Sequence, residues 1–308
     1  MFILLKKSAM AASQMVNVLL FLLLQAEIYQ AGLLYTMMNS NQILLGYDYD
    51  KWYGYGIKEP IYADISTSTN SQTLFCGMSG SGKSFATNQF MARLASFSTD
   101  SKLFFSDFKQ DDTFSYLRDC SRYYAFENSL TALEKAYSTM HKRQSGEDKS
   151  RNQITLVWDE YVANILYLQN NNKKKAEETM RKVSEILMLG RSLNVRLVIS
   201  CQRPDAVAFP TGSRLNYGII IILGAPIKSI YEMLIPKDYI DLIGDRKFGI
   251  GEGVALLQSS ELHFIKIPML RNIEKMQQIC ITALSDCFDC EGGGEAESPC
   301  NQKQSPVL

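Results

Sequence analysis

The chain has 308 residues, 46% hydrophobic and 21% charged, enough for one large α/β domain or two small ones and without the bias of a disordered protein. Its formal net charge is zero, so global charge gives no argument for a nucleic-acid partner, and any such surface must be a local patch. Seven scattered cysteines argue for a reduced cytosolic setting over a disulfide framework, and two distant histidines, His141 and His263, argue against a histidine-rich metal site or a Ser-His-Asp hydrolase.

Lys6 and Lys7 precede an apolar run from Met15 to Leu24, which ends at Gln25, Glu27 and Gln30. A bilayer span takes about 20 apolar residues, roughly twice this run. No small-residue cleavage site of a secretory signal follows. The run reads first as a long, mostly buried helix over 11–38, packed on the core or a neighbour. A segment touching the membrane or a conjugation-channel protein is the second reading, and a signal peptide the third. The expected location is cytoplasmic, with anchoring at the inner face of the cell membrane as the variant.

Residues 46–71 read as turn-rich, with Tyr and Gly interleaved. From there the chain alternates strands over 72–76, 102–107, 154–159, 195–201, 217–223, 253–258 and 261–267 with helices over 83–96, 129–144, 172–190, 227–233 and 271–284. Continuous apolar runs such as Tyr217 to Leu223 suit strands covered on both faces, as in a parallel sheet with crossover helices. The tail over 285–308 is rich in Gly, Glu and Ser and reads as a flexible end.

Gly77, Met78, Ser79, Gly80, Ser81, Gly82, Lys83 and Ser84 match G-x-x-x-x-G-K-[ST] between a strand and a helix, with Phe85 following. Glycines let successive backbone N–H groups curl around phosphates, and the helix adds its positive end. Lys83 is expected on the β and γ phosphates of ATP, with the Ser84 hydroxyl on Mg2+. The apolar run from Ile154 ends in Asp159 and Glu160, the first expected to hold the magnesium and the second to act as general base on the attacking water. A third strand ends at Gln202, an amide placed to sense the γ phosphate and position that water.

These blocks resemble the FtsK/SpoIIIE DNA translocases, within the HerA-FtsK class of ring ATPases. Glu59 to Ile65 is similar to the family's lead-in to the P-loop, and Asp107-Phe108-Lys109 to its Asp-Pro-Lys strand end, with Phe108 in place of proline. Ala132 to Arg143 is similar to the helix before the second carboxylate motif. Gly190 to Pro204 is similar to its Gly-Arg…Thr-Gln-Arg-Pro run, and Phe248 to Leu257 with Phe264 to Pro268 to its closing hairpin. The resemblance implies a RecA-like P-loop core over 42–284 and a homo-hexameric ring that translocates double-stranded DNA. It also implies a candidate role for Arg191 as the arginine inserted into a neighbour's site, against which stands a structural role at a helix C-terminus. Lys173 to Lys175 with Arg181 and Lys182 reads either as a face for DNA phosphates or as a solvated helix face. The stretch before the P-loop is short for a multi-span membrane region and no winged-helix-like segment follows the motor, so a compact member from a conjugative or mobile element is expected.

Cys280, Cys287, Cys290 and Cys300 cluster late, as a weak zinc pattern or a reduced tail. A coupling ATPase that docks substrates to a secretion or conjugation channel is the competing function. A small-molecule kinase fits less well, given the Asp159-Glu160 pair and Gln202.

Overall fold

Ile219 to Leu223 offers no polar face, so the strand it forms must be covered on both sides. It lies inside a ten-stranded sheet in the computed structural model, which describes residues 41–97, 101–209 and 213–285. In chain order the elements are β1 (Gln42–Asp48), α1 (Tyr49–Tyr55), β2 (Pro60–Asp64), β3 (Thr73–Gly77), α2 (Lys83–Ser96), β4 (Lys102–Asp107) and β5 (Tyr123–Ala125). There follow α3 (Leu130–Ser145), β6 (Ile154–Asp159), α4 (Tyr161–Asn171), α5 (Lys173–Leu189), β7 (Val195–Cys201) and β8 (Ile219–Leu223). The chain closes with α6 (Lys228–Leu234), α7 (Lys237–Ile243), β9 (Glu252–Leu257), β10 (Glu261–Lys266) and α8 (Ile273–Leu284).

The strand order is β2-β1-β10-β9-β8-β3-β7-β6-β4-β5. From β8 to β5 every pairing is parallel, and from β8 to β2 every pairing is antiparallel. Successive side chains of a strand point to opposite faces. Leu74, Cys76, Ile220 and Ile222 accordingly enter one core with Trp158, Ile165 and Ile186. Phe75, Ile219, Ile221 and Leu223 enter the other with Phe90, Leu94 and Cys280. Each fully buried Ile of β8 contributes on the order of 1.5–3 kcal/mol.

Parallel register brings the carboxyl ends of the core strands to one edge of the sheet. Asp107 stands opposite Asp159, and Cys76 opposite Cys201. Because β9 runs against β8, with Leu223 opposite Gly253, the loop entering β9 arrives at that same edge.

The stretch read as turn-rich is ordered: β1 and β2 pair antiparallel and α1 lies between them. Asp48 caps α1 by accepting from the Lys51 N–H at 2.7 Å, and Gly56 ends it in the left-handed region. β5, α4 and α7 are further elements that hydrophobic periodicity did not reveal. The expected helix over 11–38 lies outside the described residues, as does the tail beyond 285 with Cys287, Cys290 and Cys300. Cys280 belongs to α8 and is fully buried against α2, so it is no member of an exposed tail cluster. Among the described residues no helix is long and apolar enough to cross a membrane, and no group of three or more His, Cys, Asp or Glu side chains is placed to hold a metal.

Candidate functional site

The loop between β3 and α2 turns on Gly80 and Gly82, both at positive φ (79° and 89°). Gly82 is the N-cap of α2 and provides no side-chain acceptor, so the first-turn N–H groups remain for an anion. A methyl group at Gly82 would meet the Gly251 nitrogen at 2.9 Å, so the loop needs glycine there for space as well as conformation. Around this loop lies a cavity of about 320 Å³, lined by Met78, Ser79, Gly80, Gly82, Lys83, Ser84 and Phe85 from the β3–α2 segment. Gly77 and Ser81 stand behind it: Ser81 is buried, and a Cβ on Gly77 would strike its hydroxyl.

Lys83 Nζ lies 2.9 Å from Glu160 Oε1, and Gln202 Nε2 donates to the same oxygen at 3.1 Å. All three side chains line the cavity. Glu160 sits at the turn from β6 into α4 with φ 50° and ψ 45°, a left-handed conformation that costs a non-glycine residue about 1–2 kcal/mol. That turn separates the two acids. Glu160 faces the cavity, while Asp159 is buried one layer back and accepts a hydrogen bond at Oδ1 from the Ser200 hydroxyl. Ser200 also accepts from the Glu160 N–H at 3.4 Å, so one hydroxyl ties both acids to β7.

Burial pushes the Asp159 carboxyl up to about 6, in part offset by the Lys83 charge and the Ser200 hydrogen bond. Burial works against the charged form of Lys83, but the carboxylates of Asp159 and Glu160 outweigh it and the net shift is upward. Asp107, also buried, is raised by desolvation despite accepting from the Tyr123 hydroxyl at 2.7 Å and the Gln110 N–H at 2.6 Å. Magnesium takes hard oxygen donors and commonly one or two carboxylates beside phosphate. The Ser84 hydroxyl at the cavity wall and the Asp159 carboxylate beside Lys83 fit that donor chemistry.

Sequence reasoning did not find Ser200, although it lies two residues before Gln202 and strand alternation sets both toward one side. Lys109, Asp111, Thr113 and Ile250 also line the cavity, the first three from the segment after β4. Arg191 is not brought to the site. It lies in the 3-10 turn Gly190–Leu193 ahead of β7, at the opposite edge of the sheet, roughly 20 Å from the strand's far end. Its guanidinium donates to the Thr67 and Ser68 carbonyls of its own chain. Most of the basic run on α5 is paired. Lys182 meets Glu134 and Glu178 at 2.7 and 2.8 Å, Lys175 lies 3.9 Å from Glu134, and Arg181 pairs with Glu185. Lys173 and Lys174, both exposed, take no part in these pairs.

No protein-family model matches the chain, and no curated protein does. Among solved structures it is similar to the cytoplasmic domain of the type VII secretion ATPase EccC from Thermomonospora curvata, at 20% identity and a TM-score of 0.58 over 80% of this chain and 31% of that one. It is similar to the pCW3 conjugation coupling protein TcpA, solved with ATPγS, at 16% identity and 0.61 over 78% and 70%. It is also similar to ATPases 2 and 3 of EssC from Geobacillus thermodenitrificans, at 11% and 0.58 over 80% and 48%. The chain thus spans about a third of the EccC chain and about half of the EssC chain. At these identities the likeness is one of fold: a mostly parallel α/β sheet flanked by helices.

Proposed function

We propose that this chain binds ATP with Mg2+ on residues 77–85 and hydrolyses it. The observation that carries the reading is the meeting of Lys83, Glu160 and Gln202 in one cavity at the uncapped start of α2. The first-turn N–H groups and Lys83 hold the β and γ phosphates. Glu160 takes the proton of the attacking water, and Gln202 orients that water. Asp159, fixed by Ser200, and Ser84 hold the magnesium, which when bound offsets phosphate charge. The experiment is phosphate release by the purified chain, with Lys83→Ala losing nucleotide binding and Glu160→Gln keeping it while turnover falls.

Hydrolysis in this reading drives double-stranded DNA through a homo-hexameric ring, in conjugative or mobile-element transfer or DNA segregation. The order of motif blocks along the chain and the fold shared with TcpA support it. Turnover stimulated by duplex DNA and falling steeply with salt is its test, with particle images counting subunits. A second reading is favoured by the acid pairing of Lys175, Arg181 and Lys182, which engages three of the five basic residues of the expected phosphate-binding face. Here the chain is a coupling ATPase that presents substrates to a secretion or conjugation channel, and turnover is indifferent to DNA. Arg191 acting in a neighbouring copy requires release of its Thr67 and Ser68 contacts on assembly.

A further inference from the structure

The cradle and the strand order together set the direction in which a nucleotide runs. β3, which leads into the cradle, lies between β7 and β8, with β6 beyond β7 and β9 beyond β8. Glu160 and Gln202 follow β6 and β7, so the terminal phosphate points to that flank and the base falls on the β8–β9 flank. What stands there is the loop Gly249-Ile250-Gly251 ahead of β9.

Ile250 is 75% exposed, yet it lines the same cavity as Met78, itself 48% exposed, and Phe85. Its loop is held rigidly. The Gly251 N–H donates to the Ser81 carbonyl at 2.9 Å, and the Ile267 N–H donates to the Gly251 carbonyl at 2.7 Å. The Gly249 N–H donates to the Glu252 carboxylate at 2.8 Å, and Lys266 at 2.6 Å and the Tyr53 hydroxyl hold that carboxylate. A large aliphatic side chain is thereby displayed to solvent on a fixed support against the phosphate loop. Such exposure is unfavourable until a flat apolar surface covers it.

On the reading that the site binds a nucleoside triphosphate, we propose that Ile250, with Met78, is the surface on which the nucleobase lies, and that the site accepts triphosphates with little choice of base. Gly249, Ile250 and Gly251 bring no side-chain donor or acceptor, and the Gly249 N–H and both Gly251 backbone groups are already engaged. The loop offers a ring's face an apolar side chain and brings no side chain to read its edge. Discrimination between bases comes from hydrogen bonds to that edge, whereas apolar contact is nearly indifferent to it.

The test is calorimetric binding of ATP, GTP and CTP, each with magnesium, to the full chain and its variants. GTP and CTP are expected to bind within about tenfold of ATP, because stacking differs little between bases. Ile250→Ala is expected to weaken all three by about tenfold, from lost apolar contact, and Ile250→Phe to restore them. Ile250 packs in neither core, so the thermal midpoint of Ile250→Ala should match the parent. If Ile250→Ala binds ATP like the parent while Lys83→Ala has lost binding, the base platform is wrong and the nucleotide site stands. A preference for ATP of about a hundredfold or more would overturn the claim of indifference to base, since it demands a hydrogen-bonded edge. If Lys83→Ala binds ATP like the parent, the nucleotide reading beneath this proposal fails.

Discussion

The ε-ammonium of Lys83 and Oε1 of Glu160 lie 2.9 Å apart, and both side chains are almost wholly buried. On the proposed reading, the lysine assigned to phosphate is thus held by the acid assigned to water, and ATP has to part them to bind. Glu160→Gln removes the competing charge, and ATP affinity is expected to rise several-fold while phosphate release slows by about 10²–10⁴-fold, the usual contribution of a general base. Titration of a fluorescent ATP analogue beside a phosphate-release assay checks both. Unchanged turnover would remove Glu160 from its role.

Lys83→Ala leaves Glu160 buried, with Gln202 as its hydrogen-bonding side-chain partner. Breaking a buried pair from one side costs about 3–5 kcal/mol. Denaturant unfolding of the nucleotide-free protein is expected to show a loss approaching that size, beside the loss of ATP binding. A variant as stable as the parent would mean that the pair is solvated in solution.

Ser200 joins Asp159 to Glu160 through one hydroxyl. Ser200→Ala leaves a buried carboxylate oxygen short of a donor, a cost of about 1–3 kcal/mol. Magnesium dependence of ATP binding should shift to higher metal concentration as Asp159 loses its orientation. Calorimetry with ATP at several magnesium concentrations reads this, and a shift confined to stability would make Ser200 a purely structural residue.

Asp148 is held down to about 2 by hydrogen bonds from the Ser150 side chain and N–H and by the Arg143 guanidinium, whose Nε lies 3.1 Å away. A depressed folded-state value means that its contribution is complete above the ordinary carboxylate range, near pH 4, and disappears as the pH falls through about 2. Asp148→Asn should flatten the acid limb of the stability curve in that window. A limb of unchanged slope would show that Asp148 is equally accessible to protons when folded.

Burial in α8 pushes the Cys280 thiol up to about 12. Alkylation follows the thiolate, so Cys280 is expected to stay unmodified at pH 8 in the folded chain and to react on unfolding. Residue-resolved mass spectrometry reads this, and rapid labelling of Cys280 would show that α8 opens readily.

The parallel core was legible because β8 is an unbroken apolar run and β3, β6 and β7 are mostly apolar and β-branched, a composition that suits strands covered on both faces. β1 and β2 were not, because they are half-buried and bent by a bulge at Leu44–Gly46, where a side chain at Gly46 would strike the Lys266 carbonyl. α1 was not read because the aromatic residues between Asp48 and Gly56 hide a helical period. α4 follows β6 with only Glu160 between, so the strand's apolar run conceals where the helix starts.

The residue types at 77–84, 159, 160 and 202, and their placement at strand ends, are properties of the sequence, because a glycine loop and the polar ends of apolar strands depend on local backbone order. The strand order determined which flank faces the acids and which faces Ile250, and that order depends on contacts between residues far apart in the chain. The left-handed turn at Glu160 then separated two adjacent acids, one toward the cavity and one toward Ser200. Tertiary contacts also engage Arg191 with the Thr67 and Ser68 carbonyls and Lys182 with Glu134, partners that lie far from them in the chain.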